Sequence, residues 1–99
     1  MSTIAHLYLI AYDIADDRRR DRVAKELLHY GERLQASVFC VRATQSKIVR
    51  LTADLGSTIK RAEDSLLICD LGVAGAEITG KVTTLGRSLT FPTDGALVI

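Results

Sequence analysis

Residues 4 to 14, IAHLYLIAYDI, decide how the chain folds. Alternate positions are apolar on both sides, with Leu7, Leu9 and Ala11 on one and Tyr8, Ile10 and Tyr12 on the other. A strand with one face in water alternates apolar with polar residues, so a segment apolar on both faces reads as a central strand covered on both sides. From Asp16 the spacing becomes helical. Val23, Ala24, Leu27 and Leu28 form one stripe and Gly31 is placed to stop the helix, which predicts a helix over 17–30.

Residues 33 to 42, RLQASVFCVR, are too long for one short edge strand and rich in β-formers from Ser37 on, so they divide into two strands meeting near Ala36 and Ser37. Thr44 can cap a second helix, whose Ile48, Leu51, Leu55 and Ile59 recur along one face. Gly56 interrupts that helix at a cost of about 1 kcal/mol relative to Ala. SLLICDL, residues 65 to 71, is again apolar on both faces. Strand, helix, strand, strand, helix, strand is the split βαβ order, an α/β (α+β) fold of ferredoxin-like βαββαβ plan with strand order 4-1-3-2. After Gly72 the composition shifts to Gly, Thr and Ser. One more strand is expected over 77–85, and Ala96–Ile99 forms a short apolar end. The expected division is one domain over 1–86, including the fifth strand, and a tail over 87–99.

Two helices cover one face of a four-stranded sheet, yet strands 1 and 4 are apolar on both. A chain of 99 residues has few elements to spare for the second face. The simplest cover is a second copy about a two-fold axis, giving a homodimer with its sheets facing each other.

The 47% apolar and 25% charged residues fit an ordered globular protein. No apolar run approaches the roughly 20 residues that cross a bilayer, and the N-terminus lacks a signal-peptide pattern. A cytoplasmic location without membrane contact is therefore expected. Cys40 and Cys69 read as buried thiols. In the predicted strand order strand 1 separates them by about 10 Å, too far for a disulfide. The net charge of +1 hides an uneven distribution: residues 1–50 carry nine Lys/Arg against six Asp/Glu, and residues 51–99 carry four against six. Arg18, Arg19, Arg20 and Arg22 form the densest cluster, and a phosphate backbone is the first partner they suggest.

Asp13 ends the first strand, and a carboxylate at the end of a two-sided apolar strand is costly unless solvated, paired or bound to metal. It can instead cap the turn into the helix, although Asp16 and Asp17 compete for that place. Across a two-fold axis two copies of Asp13 would repel, and a bridging divalent cation would relieve the repulsion. Magnesium there can activate water against a phosphodiester. The four arginines oppose the positive end of the helix dipole, a local conflict expected at functional sites. With the free NH groups of the helix end they suit phosphate, the alternative being a solvated face neutralised by Asp16, Asp17, Asp21 and Glu26. Phe39 reads more readily as core than as a base-stacking platform, and His6 and His29 as surface or packing residues. No zinc spacing, nucleophilic triad or phosphate-cradling glycine loop is present.

Taken together, residues 12 to 39, YDIADDRRRDRVAKELLHYGERLQASVF, and 63 to 72, EDSLLICDLG, resemble the CRISPR-associated adaptation endoribonuclease family, the small partner of the CRISPR integrase. The resemblance runs in order and spacing from residue 4 to about 72. It implies a ferredoxin-like homodimer in which Asp13 of each chain contributes to a Mg2+ site at the dimer cleft. By position in the motif it places Tyr12 beside that site, Arg20, Arg22 and Arg33 on the phosphate backbone and Phe39 near the cleft. It implies cleavage of single-stranded RNA or double-stranded DNA, or a non-catalytic bridge between integrase dimers on foreign DNA. It also implies a fifth strand exchanged between subunits, with the residues after it contacting the integrase. Ala36 stands where a large or aromatic residue is usual in the family, and Cys69 where an aromatic is common. A toxin-type ribonuclease or a ligand-sensing domain can share the fold, but the turn Ala15-Asp16-Asp17-Arg18 lacks the glycines of a ligand-sensing domain.

Overall fold

The apolar run at the N-terminus forms β1, His6–Asp13, an inner strand of the sheet paired on both sides. This computed structural model describes residues 3–75, 81–91 and 97–98. β1 sends Tyr8, Ile10 and Tyr12 to the helix side, where they are buried, and Leu7, Leu9, Ala11 and Asp13 to the other. Asp16 caps α1, Asp17–Leu28, its carboxylate accepting the Arg19 backbone NH at 2.9 Å. The helix buries Val23, Ala24 and Leu27 and ends at Leu28, two residues before the expected stop. Gly31 opens β2, Gly31–Gln35, rather than stopping the helix. A Cβ there would collide with the Cys40 carbonyl oxygen and lie 2.8 Å from the Val41 Cα, so this glycine serves close approach to the neighbouring strand.

Ala36 and Ser37 make the turn into β3, Val38–Ala43, where the sequence divides the segment. α2, Gln45–Thr58, follows Thr44, which takes the N-cap backbone conformation without capping through its side chain. Ile48, Leu51 and Leu55 carry the helix onto the sheet. β4 is Ser65–Val73, two residues longer than the apolar pattern. The sheet order β2-β3-β1-β4, antiparallel at every pairing, is the ferredoxin-like order the sequence predicts.

The main core lies between helices and sheet around Phe39, Ile10, Leu27 and Leu51. Fully burying an aliphatic or Phe side chain contributes about 1.5–3 kcal/mol, so this layer supplies most of the hydrophobic stabilisation. A smaller cluster on the opposite face joins Leu7 and Cys40 to Leu34, Leu71, Ala74, Val82 and Leu89. Residues of the 81–89 segment therefore fold over one end of the second face. Of the fifth strand expected over 77–85, the described residues 81–85 are not strand, and 77–80 lie outside the described residues. A two-stranded pair, β5 Thr90–Phe91 and β6 Leu97–Val98, appears later in the chain.

Cys40 and Cys69 both register against Leu9, one from each side. β1 separates them as the strand order requires, and both are free. Burial pushes the Cys40 thiol up to about 11, with Glu32 adding to it. Cys69 corrects the expectation of two buried thiols, because it is exposed on the uncovered part of the sheet.

Candidate metal and nucleic-acid site

Asp13 is the last residue of β1, on the face away from the helices, and is exposed. Ser65, the first residue of β4, is its cross-strand partner. The two line a shallow hollow of about 170 Å³ with Ala11, Tyr12 and Leu67. Around it the second face is open, with Leu67 66% exposed, Cys69 exposed, and Leu9 and Ala11 only partly covered. A larger hollow of about 340 Å³ lies on the helix side of β4, floored by Leu55, Ile59, Leu66 and Ile68, with Arg61 at its wall.

Three contacts fix the backbone around Asp13. Tyr12 donates its NH to the Ser37 carbonyl at 3.1 Å. Arg20 donates to the Ile14 carbonyl at 3.0 Å while pairing with Asp17. Ala15 donates its NH to the Asp64 carboxylate at 3.2 Å. A strand end in ordered surroundings thus presents a solvated carboxylate.

Tyr12, Phe39 and Arg33 lie on the helix side of the sheet. The Arg33 guanidinium sits 5.1 Å from the Phe39 ring centroid, a cation–π distance, and Phe39 stacks on Tyr12 at 6.1 Å. The Tyr12 hydroxyl donates to the Ala36 carbonyl at 3.3 Å. Phe39 is 0% and Tyr12 7% exposed, so neither ring is offered to a base in the single chain, and Phe39 sits in the core as its residue-level reading expects. Together they anchor Arg33, which is exposed on β2.

The arginine cluster divides in two. Arg18, Asp21, Arg22 and Lys25 share a polar strip along the outer face of α1. Arg19 and Arg20 turn inward. Arg19, read from sequence as phosphate-binding, reaches Asp64 through Nε at 2.8 Å and Glu63 through Nη2 at 3.3 Å. Asp64 has a fully covered side chain. The Arg19 hydrogen bond foremost, then the Lys60 and Ala15 backbone NH groups, hold its carboxyl at about 2. Sequence reasoning placed Asp64 only within a motif and gave neither it nor Ser65 a role. The signal was present, since Asp64 precedes a two-sided apolar strand just as Asp13 ends one.

No group of three His, Cys, Asp or Glu suited to a metal occurs among the described residues. Magnesium does not require one, because it binds through one or two carboxylates and keeps several waters. The exposed Asp13 oxygens fit that donor set.

Residues 6–75 match the family described as CRISPR associated protein Cas2. The chain belongs to that family. It is 48% identical over 82 residues to the CRISPR-associated endoribonuclease Cas2 of Thermus thermophilus, covering 82% of this chain and 84% of the relative. With the protein of that name from Geobacter sulfurreducens the identity is 37% over 83 residues, covering 84% and 86%. The crystal structure of Streptococcus pyogenes Cas2 superposes with a TM-score of 0.68 at 29% identity, covering 81% of this chain and 99% of that one. A hypothetical protein from Thermus thermophilus superposes at 0.72 with 32% identity, covering 84% and 93%. The Cas2 match spans β1 to β4, so the family resemblance and the ferredoxin-like sheet rest on the same residues.

Proposed function

We propose that this Cas2-family chain is a homodimeric, magnesium-dependent endonuclease or endoribonuclease of CRISPR adaptation, working in the cytoplasm. It would also bridge integrase dimers on foreign DNA, with residues 87–99 as an integrase-contacting tail. The observation that carries the reading is an exposed carboxylate, Asp13, at the rim of an uncovered apolar patch formed by Leu9, Ala11, Leu67 and Cys69. Apolar surface of this kind favours a second sheet, and a two-fold axis there pairs the two Asp13 carboxylates. Named endoribonucleases among the relatives support the activity. No helix among the described residues is long and apolar enough to cross a membrane.

Asp13 of each chain would hold Mg2+, which supplies charge stabilisation and an activated water when bound. The chain's own contribution is geometric. Arg20 and Asp64 fix the turn after Asp13, and Arg18, Arg22 and Lys25 offer cations to a phosphate backbone. A second reading, a bridge without catalysis, is favoured by Asp13 being the one carboxylate that lines the hollow at the strand end in the described residues.

The test is internal cleavage of single-stranded RNA and duplex DNA with magnesium or with EDTA, alongside sedimentation at micromolar protein. A dimer that cleaves only with metal supports the enzyme. Tight duplex binding without cleavage leaves the bridge, and a monomer removes both. Arg18→Ala and Arg22→Ala are expected to weaken duplex binding whatever the base sequence. Each lost phosphate contact should lower the log–log salt slope by about one. An unchanged slope would show that these side chains do not neutralise phosphate.

A further inference from the structure

Glu63-Asp64-Ser65 is a motif to which the reading above gives no chemistry. Asp64 is nevertheless the one buried charged residue among the described residues, 8% exposed, and both its oxygens are fully engaged. Oδ2 accepts from Arg19 Nε at 2.8 Å and from the Lys60 NH at 2.8 Å. Oδ1 accepts from Arg19 Nη2 at 3.2 Å and from the Ala15 NH at 3.2 Å. A two-point guanidinium pair with two backbone donors leaves the carboxylate one rotamer and ties four chain segments to it. These are the β1–α1 turn, the first turn of α1, the Lys60 turn and the start of β4.

Two of those segments flank Asp13. Ala15 lies two residues after it in the chain, and Ser65, adjacent to Asp64, is its partner across the sheet. Without Asp64 the Ala15 NH loses its acceptor, and the guanidinium linking α1 to the β4 approach is released. We propose that Asp64 is a positioning residue, holding the strand end so that the Asp13 oxygens stay in the geometry a divalent cation needs. The proposal rests on the reading of Asp13 as the metal carboxylate. Asp64 does not bind the metal itself, since its oxygens are already taken by four donors. Outer groups that orient a ligand commonly change metal affinity or activity about 10–100-fold when altered.

Asp64→Asn tests this, because the amide keeps the volume and one acceptor oxygen but loses the second. Binding of Mn2+ is measured by calorimetry, and exchange of the Ala15 amide by NMR, with nucleic acid absent. The expected result is Mn2+ affinity lowered about 10-fold or more, with faster Ala15 exchange and dimerisation retained. Glu63→Gln removes a neighbouring charge, paired with Lys60 at 3.2 Å and with Arg19 Nη2 at 3.3 Å, while leaving the Ala15 contact and the two-point Arg19–Asp64 pair in place, and is expected to change affinity less than about 2-fold. Equal losses in both variants would assign the effect to charge and overturn the positioning role. If Asp64→Asn does not fold, Arg19→Lys replaces it, keeping the charge and losing the two-point pairing. Unchanged Mn2+ affinity in that folded variant overturns the proposal. Failure of the Asp13 reading is distinguishable, because then Asp13→Asn itself leaves Mn2+ affinity intact.

Discussion

Asp13→Asn is expected to reduce metal-dependent cleavage by at least about 100-fold, the scale on which losing one preorganised charge-stabilising group is felt. Folding should be almost unaffected. Asp13 is exposed at a strand end, and surface substitutions away from special features stay within about 0.5 kcal/mol. Without metal the variant dimer should be at least as stable as the wild type, since two facing carboxylates repel and two amides do not. Mixed dimers of one wild-type chain and one Asp13→Asn chain sharpen the test. If both copies serve one metal, the mixed dimer loses most of its cleavage, whereas independent sites would leave half. Duplex binding through α1 should survive in every case. Cleavage by Asp13→Asn equal to wild type would remove the catalytic role and leave the bridge.

The four-stranded sheet was legible because its first and last strands in chain order announce themselves. β1 and β4 carry apolar residues on both alternating faces over most of their length, the pattern of a strand covered on both sides, and the helical stripes of α1 and α2 fix the face on which they pack. Asp13 was legible for a related reason, as a charge at the end of an otherwise apolar segment. What stayed hidden depends on side chains meeting across the fold. Arg19 and Arg20 are neighbours of equal charge in the sequence, and nothing local shows that Arg19 finds Asp64 45 residues away while Arg20 caps the Ile14 carbonyl. The exposure of Cys69 was hidden because period-two patterning assigns a face without saying what covers it. The described part of 77–85 failed as a strand because β-forming composition gives no partner edge. Those residues instead lend Val82 to the cluster around Leu7 and Cys40.

Gly31 carries the largest expected effect on folding. Its place after α1 suggested a helix stop, a role several residues could fill, whereas its position in β2 admits glycine alone. β2 and β3 pair with Gly31 opposite Val41, and a Cβ on Gly31 would stand 2.9 Å from the Cys40 carbonyl carbon as well as against its oxygen. These are backbone atoms, so no rotamer change relieves the clash. Gly31→Ala must shift β2 away from β3, disturbing the strand that carries Arg33 and the turn whose Ser37 carbonyl holds Tyr12. Overpacking typically costs 1–3 kcal/mol, and a backbone clash belongs at about the upper end of that range. For a domain of this size about 3 kcal/mol corresponds to a fall in Tm of about 12–24 °C. A helix-stop role makes the opposite prediction, since Ala then costs only what the lost turn conformation is worth and Asn restores most of it. Thermal unfolding of Gly31→Ala and Gly31→Asn decides between them: both should lose stability heavily, Asn at least as much as Ala. Recovery in the Asn variant would return Gly31 to the end of the helix.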